Sequence, residues 1–170
     1  MRELTEHEAA YLALLRSGEI EQTDGRLRRC ADMCCLGVAC ESYRRITGNG
    51  EWMDDFIFKA GPLTAETAES YLPPLVSEFF GLTNLTGNGD PVMFVAPDGD
   101  QWWRCLTASS LNDDLHWPFV QIADAFEYVF RNGKPQTVWP EDVELSMGEL
   151  CSPVELHVKC LAWDGWKGYE

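Results

Sequence analysis

Four groups of residues in this 170-residue chain have types and spacing that could do chemistry. The first is the cysteine run Cys30-x3-Cys34-Cys35-x4-Cys40. A thiol acts as nucleophile or metal ligand in its thiolate form, which a helix N-terminus or a nearby cation favours. Cys34 and Cys35 stand at the predicted start of a helix, close after Arg28 and Arg29, so a lowered pKa is expected there. A cysteine enzyme also needs a base, and His7, His116 and His157 all lie far off in sequence. Structural zinc uses paired Cys-x2-Cys knuckles. These are missing, so no metal and no cofactor is expected, and small sulfur-bearing side chains packed in a core are the favoured account.

The second group, Asn112, Asp113 and His116, with Asp114 beside it, has the composition of a polar acid–base or metal site. Asn-Asp ahead of a helix also suits a turn whose side chains bond backbone N–H groups. The third is a local excess of arginine, Arg26, Arg28 and Arg29 with Arg16 upstream, in an otherwise acidic chain. Guanidinium forks together with the free N–H groups of the Cys34 helix would hold a phosphate or carboxylate. The competing account pairs these arginines with surplus carboxylates. The fourth is tryptophan: Trp102 and Trp103 in a predicted hairpin, Trp163 and Trp166 near the C-terminus, anchors of the kind that protein interfaces use, with Trp52 and Trp117 as further aromatic faces.

Local signals define the elements that must position these groups. Thr5 and Glu8 form a capping-box pattern ahead of Tyr11, Leu12 and Leu15, with Leu4 placed to staple onto Ala9 and Gly18 to end the helix. Residues 19–32 have no period and read as an arginine-rich loop or short irregular hairpin. Leu36, Ala39, Cys40, Tyr43 and Ile46 recur at helical spacing up to Gly48. Residues 51–63 read as irregular or briefly extended, and Thr64 as the cap of a short helix reaching Ser70. Pro73-Pro74 suits the first turn of a helix carrying Leu75, Val76, Phe79 and Phe80 up to Gly81. Val92–Ala96 and Gln101–Thr107 read as a hairpin, Phe119–Phe130 as an amphipathic helix with Phe126 inward and Glu127 facing solvent, and Val154–Ala162 as a strand added to the hairpin. Several short helices on a small antiparallel sheet make the class α+β, and no repeat or linker divides the chain, so residues 1–170 are expected to form one domain.

Charge narrows the function. The formal net charge is -15, and residues 51–133 alone hold 13 acidic and 3 basic side chains. Duplex nucleic acid is bound chiefly by Lys and Arg, so direct duplex binding is excluded as an expectation. An acidic DNA mimic is a weaker alternative, because the carboxylates are scattered among apolar residues. No apolar run is long enough to span a membrane, and the acidic N-terminus does not read as a signal peptide. A reducing interior compartment is expected, where seven cysteines remain thiols.

Leu14-Leu15-Arg16-Ser17-Gly18, Gln22, Cys34-Cys35-Leu36-Gly37-Val38-Ala39-Cys40 with Tyr43, Leu72-Pro73 leading to Gly81-Leu82, and Ser110-Leu111-Asn112-Asp113 followed by Phe119, Ile122, Ala123, Asp124 and Glu127 form a set. In these residues the chain resembles a family of small, mostly uncharacterised tailed-bacteriophage and prophage proteins, over about residues 10–128. It departs where family members tend to carry Ser-Phe and this chain has Pro118-Phe119, and residues 134–170 extend beyond the shared pattern. The resemblance implies phage origin and the cytoplasm of a bacterial host; it implies no activity. The reading that follows is a non-enzymatic phage accessory protein that binds a host protein or a small anionic, nucleotide-like ligand and so modulates host physiology or immunity, including counter-defence. A cysteine- or Asp/His-dependent enzyme is the rival class, and a structural virion component a third.

Overall fold

A computed structural model describes residues 1–61, 67–83, 86–87, 89–95 and 105–137. The chain is α+β: helices packed on small sheets that are antiparallel apart from one short pairing. Helix α1 (Glu6–Arg16) starts at the predicted capping box, with Thr5 and Glu8 each bonding the other's backbone N–H. The acidic first turn and the basic last residue suit the helix dipole. Leu4 packs on the core, but Ala9 is exposed, and the inward position next to it belongs to Glu8, whose carboxylate is held by Arg2.

The loop that follows folds back on itself. Its strands β1 (Arg28–Arg29) and β2 (Asp32–Met33) form a two-residue ladder, and Gln22 bridges to Met33. Helix α2 (Cys35–Thr47) then runs through the centre of the molecule and ends at left-handed Gly48. Every residue from Cys35 to Tyr43 is buried, so the first two turns are enclosed on all sides. At Gly37 the enclosure leaves no room for a side chain: a Cβ there would lie 1.8 Å from the Leu27 carbonyl oxygen. The loop therefore rests directly on the helix, and the Cys34 N–H donates to the same Leu27 oxygen at 3.2 Å. Ile46, placed on the apolar stripe by its spacing, is instead 36% exposed, because the helix has by then left the core.

A three-stranded sheet is formed by β3 (Glu51–Met53), β4 (Ile57–Lys59) and β5 (Thr67–Ala68). This corrects the expected helix up to Ser70. Thr67 and Ala68 pair with Lys59 and Phe58, and a free strand edge outweighs a weak local helix signal; Thr64 lies outside the described residues. Helix α3 (Pro74–Phe79) has proline in its first turn, as predicted, and buries Val76 and Phe80 while Leu75 points outward. The last sheet is built on β7 (Asp90–Val95), flanked antiparallel by β6 (Thr86–Gly87) and β8 (Cys105–Thr107) and parallel by β9 (Gln136–Thr137). The hairpin expectation holds for its described strands, while the strand predicted at Val154–Ala162 lies outside the described residues.

Helix α4 (Phe119–Asn132) closes the core against α1. Its buried face, Phe119, Ile122, Ala123, Phe126, Val129 and Phe130, is the periodic stripe visible in the sequence. Tyr11 sits where α1, α2, α3 and α4 meet. Its ring packs edge-on to Phe126 at 5.2 Å and beside Phe80 at 5.3 Å, and its hydroxyl donates to the Cys35 carbonyl at 3.1 Å. Glu127 does not simply face solvent: it accepts from Arg16 and Arg131, both at 2.8 Å.

Candidate functional site

The loop 19–33, which carries Arg26, Arg28 and Arg29, is closed on itself by two backbone bonds and tied to the body at Leu27. Thr23 N–H donates to the Met33 carbonyl at 2.9 Å, Met33 N–H to Glu21 at 2.9 Å, Leu27 N–H to Glu69 at 2.7 Å, and Leu27 itself is fully buried. With Leu27 inside, the arginines on either side of it project outward. Arg26 and Arg29 are exposed, and Arg28 is half-buried. The Arg26 guanidinium lies 4.4 Å over the Phe56 ring and that of Arg28 5.2 Å over Trp52, so the β3–β4 hairpin supplies an aromatic bed for both. Arg28 is turned further by donating its Nε to the Cys30 carbonyl.

The bed is anchored inside the protein. Trp52 donates its ring N–H at 3.0 Å to Glu41, a buried carboxylate that also accepts from Arg44 and Arg45. Burial alone would raise the pKa of Glu41; the bonds from Arg44, Arg45 and Trp52 outweigh it and bring the value down to about 2. A carboxyl that titrates near 4.5 when unperturbed and near 2 in the fold stabilises the native state above pH 4.5 and loses that contribution as the pH falls toward 2. We expect Glu41→Gln to flatten this part of the acid limb, removing about 2 kcal/mol at pH 7 once screening around the half-exposed arginines is allowed for. Urea denaturation between pH 2 and 7 measures it, and an unchanged acid slope would refute it.

Arg16 belongs to a different place from the other predicted arginines. It ends α1 and is bound to Asp124 at 2.7 Å and Glu127 at 2.8 Å on α4. Arg2, Arg44, Arg45 and Arg131 are likewise in ion pairs. Among the described residues, Arg26, Arg28 and Arg29 have no carboxylate partner at all. Among the described residues, therefore, no carboxylate neutralises these three.

The start of α2 differs from expectation. Its N–H groups are used internally, Cys35 N–H by Asn112 Oδ1 at 3.1 Å and Gly37 N–H by the Cys34 sulfur at 3.4 Å. Burial pushes the Cys34 thiol up to about 12 and those of Cys35 and Cys40 well above the ordinary thiol range, the reverse of the activation predicted from sequence. Desolvation of a thiolate outweighs a helix dipole whose N–H groups are occupied. Cys30, by contrast, is exposed. No group of three His, Cys, Asp or Glu there could hold a metal ion.

Asn112, Asp113 and His116 come from a single π-helical turn, Ser110–Asp114, and the residues that close it. Asn112 is 1% exposed and makes four bonds. Its Oδ1 accepts from Cys35 N–H and from Gln22 Nε2 at 3.0 Å, and its Nδ2 donates to the Thr23 carbonyl at 2.8 Å and to Asp113 at 2.7 Å. The side chain thus ties three segments together and keeps no bonding capacity for a ligand. The turn ends with Trp117 N–H donating to Leu111, which requires a left-handed residue in between, and His116 adopts φ 51° there. Glycine would do this without steric cost. His116→Gly is therefore expected to raise stability by about 0.5–1 kcal/mol, the left-handed strain relieved less the entropy glycine gains in the unfolded chain; a lower urea midpoint would show that the imidazole is held by the fold.

His116 borders an open polar cleft of about 370 Å³ lined also by Gln22, Thr23, Asp24 and Asn112. Sequence reasoning selected Asn112 and His116 but not Thr23 and Asp24, which lie in the stretch 19–32 that has no period. Trp102, Trp103, Trp163 and Trp166 lie outside the described residues.

The model of one protein family, the domain of unknown function DUF8296, matches residues 5–130, from the cap of α1 to the last turns of α4. The chain belongs to that family. No curated protein and no solved structure matches it. The DUF8296 match contains the whole 19–33 loop, the aromatic hairpin beneath it and the Asn112 turn, whereas β9 lies beyond it. Among the described residues of this DUF8296 chain no helix is long and apolar enough to cross a membrane.

Proposed function

We propose that this protein is a non-enzymatic phage accessory protein that binds a small anionic, nucleotide-like ligand in the cytoplasm of a bacterial host, and thereby modulates host physiology or immunity. The observation that carries the binding reading is the contrast among its arginines: five are in ion pairs, while the adjacent Arg26, Arg28 and Arg29 present guanidinium groups with no carboxylate partner among the described residues. Two of those guanidiniums lie over aromatic rings, Arg26 over Phe56 and Arg28 over Trp52, which restrains the forks without neutralising them. The high thiol pKa values of Cys34, Cys35 and Cys40 speak against the cysteine-enzyme alternative. Phage origin and host setting rest on the resemblance of the sequence motifs.

The test is calorimetric titration with pyrophosphate and nucleoside di- and triphosphates. Each charge-assisted bond is worth about 1.5–3 kcal/mol, so Arg28→Ala should weaken binding roughly ten- to a hundred-fold, and affinity should fall with salt. A protein partner predicts the opposite pattern: indifference to Arg28→Ala/Arg29→Ala and loss of phage fitness with Trp103→Ala. That outcome would replace the anion with a host protein.

A further inference from the structure

The polar cleft beside the Asn112 turn has different chemistry from the arginine face, although the same loop builds both. Its inner amide donors are consumed. Gln22 Nε2 donates to Asn112 Oδ1 and at 2.8 Å to the Trp117 carbonyl, and Asn112 Nδ2 donates to the Thr23 carbonyl and to Asp113. The lining leaves for a guest the Asp24 carboxylate, which only accepts when ionised, and beside it the Gln22 amide oxygen and the Thr23 hydroxyl and His116 imidazole, which can accept as well as donate. Among the described residues neither Asp24 nor His116 has a hydrogen-bond or ion-pair partner within the protein. The volume, about 370 Å³, is in the range of small-molecule sites.

We propose that this cleft binds a guanidinium group, a planar cation with several N–H donors. Asp24 disfavours an anion there, and the lining lacks the three metal-ligating side chains a bound metal ion would need. A guanidinium fork suits a carboxylate beside an amide oxygen, and its plane can stack on an imidazole. His116 fits this role: the turn would close more easily with glycine, yet the chain places an aromatic base at the rim of the cleft. The protein's charge of -15 raises the local concentration of any such cation. The guest could be a free metabolite or an arginine side chain of another protein; the chemistry is shared.

The experiment is an amide-shift titration of the full chain with agmatine, with an end-blocked Gly-Arg-Gly peptide, and with the citrulline counterpart of that peptide, which has nearly the same shape but no charge. Shifts at Thr23, Asp24 and His116 with agmatine or the arginine peptide, at least about tenfold weaker for citrulline and for Asp24→Asn, are expected. Binding by agmatine alone would identify a free small molecule as the guest, and binding by both an exposed arginine. Asp24 is at the surface, so Asp24→Asn should fold normally, as thermal denaturation would verify. Equal binding of citrulline, undiminished binding by Asp24→Asn, or shifts confined to other parts of the chain would overturn the proposal. Arg28→Ala/Arg29→Ala should leave these shifts intact, so failure here and failure of the anion site can be told apart.

Discussion

Asn112→Leu should lower the stability of the protein by about 3–5 kcal/mol, a large share of what a domain of this size possesses. The volume is nearly conserved, so the loss comes from polar groups left behind. The Cys35 N–H at the start of α2 and the Thr23 carbonyl both lose the partner that bonds them at 3.1 Å and 2.8 Å. A buried backbone group without a partner costs about 1–3 kcal/mol, and there are two. Gln22, at the surface, can turn to water and adds little. Asn112→Asp should be almost as harmful despite its shape, since an ionised carboxylate would face the Thr23 carbonyl and Asp113 where an amide now donates. Equilibrium urea denaturation gives the magnitude, and hydrogen exchange at the Cys35 amide gives the location. A cost below about 1 kcal/mol would mean that the four bonds are replaced by water.

Phe126→Ala should be comparably severe, again about 3–5 kcal/mol, for an apolar reason. Phe126 is fully buried, edge-on to Tyr11 at 5.2 Å and tilted against Phe130 at 5.8 Å, so its removal leaves a cavity between α1 and α4. Its neighbour Glu127 provides the control. The sequence suggested a negligible effect for Glu127→Ala; two ion pairs, to Arg16 and Arg131, raise the expectation to about 0.5–1 kcal/mol, still small because such pairs are partly solvated. Similar urea midpoints for the two variants would reject the packing of α4 against α1.

Features written into a few consecutive residues were legible without coordinates. The capping box at Thr5 and Glu8, the proline at the start of α3, the left-handed glycine after α2, and the stripe from Phe119 to Phe130 each depend on short-range geometry, and each element forms where those signals put it. The α+β class followed from their order. Where local signals were weak, partners distant in sequence decided: Thr67 and Ala68 became a strand because Lys59 and Phe58 offered an edge, and Ile46 and Leu75 face outward because the core lies elsewhere.

The chemistry of the candidate groups was decided almost wholly by tertiary structure. Cys34 and Cys35 have the sequence of an activated helix-start pair, but a thiol's pKa is set by what surrounds it, and here the surroundings are core. The arginines look alike in the sequence; that Arg16 meets Asp124 and Glu127 while Arg26 and Arg28 meet aromatic rings depends on which helices and hairpins lie against them. Asn112 could be recognised as a polar residue in a turn. Its role as the tie between Cys35, Gln22 and Thr23 spans up to 90 residues of chain, and hydrogen bonds of that reach leave no periodic trace in sequence because they are chosen by the folded shape and not by neighbours along the backbone.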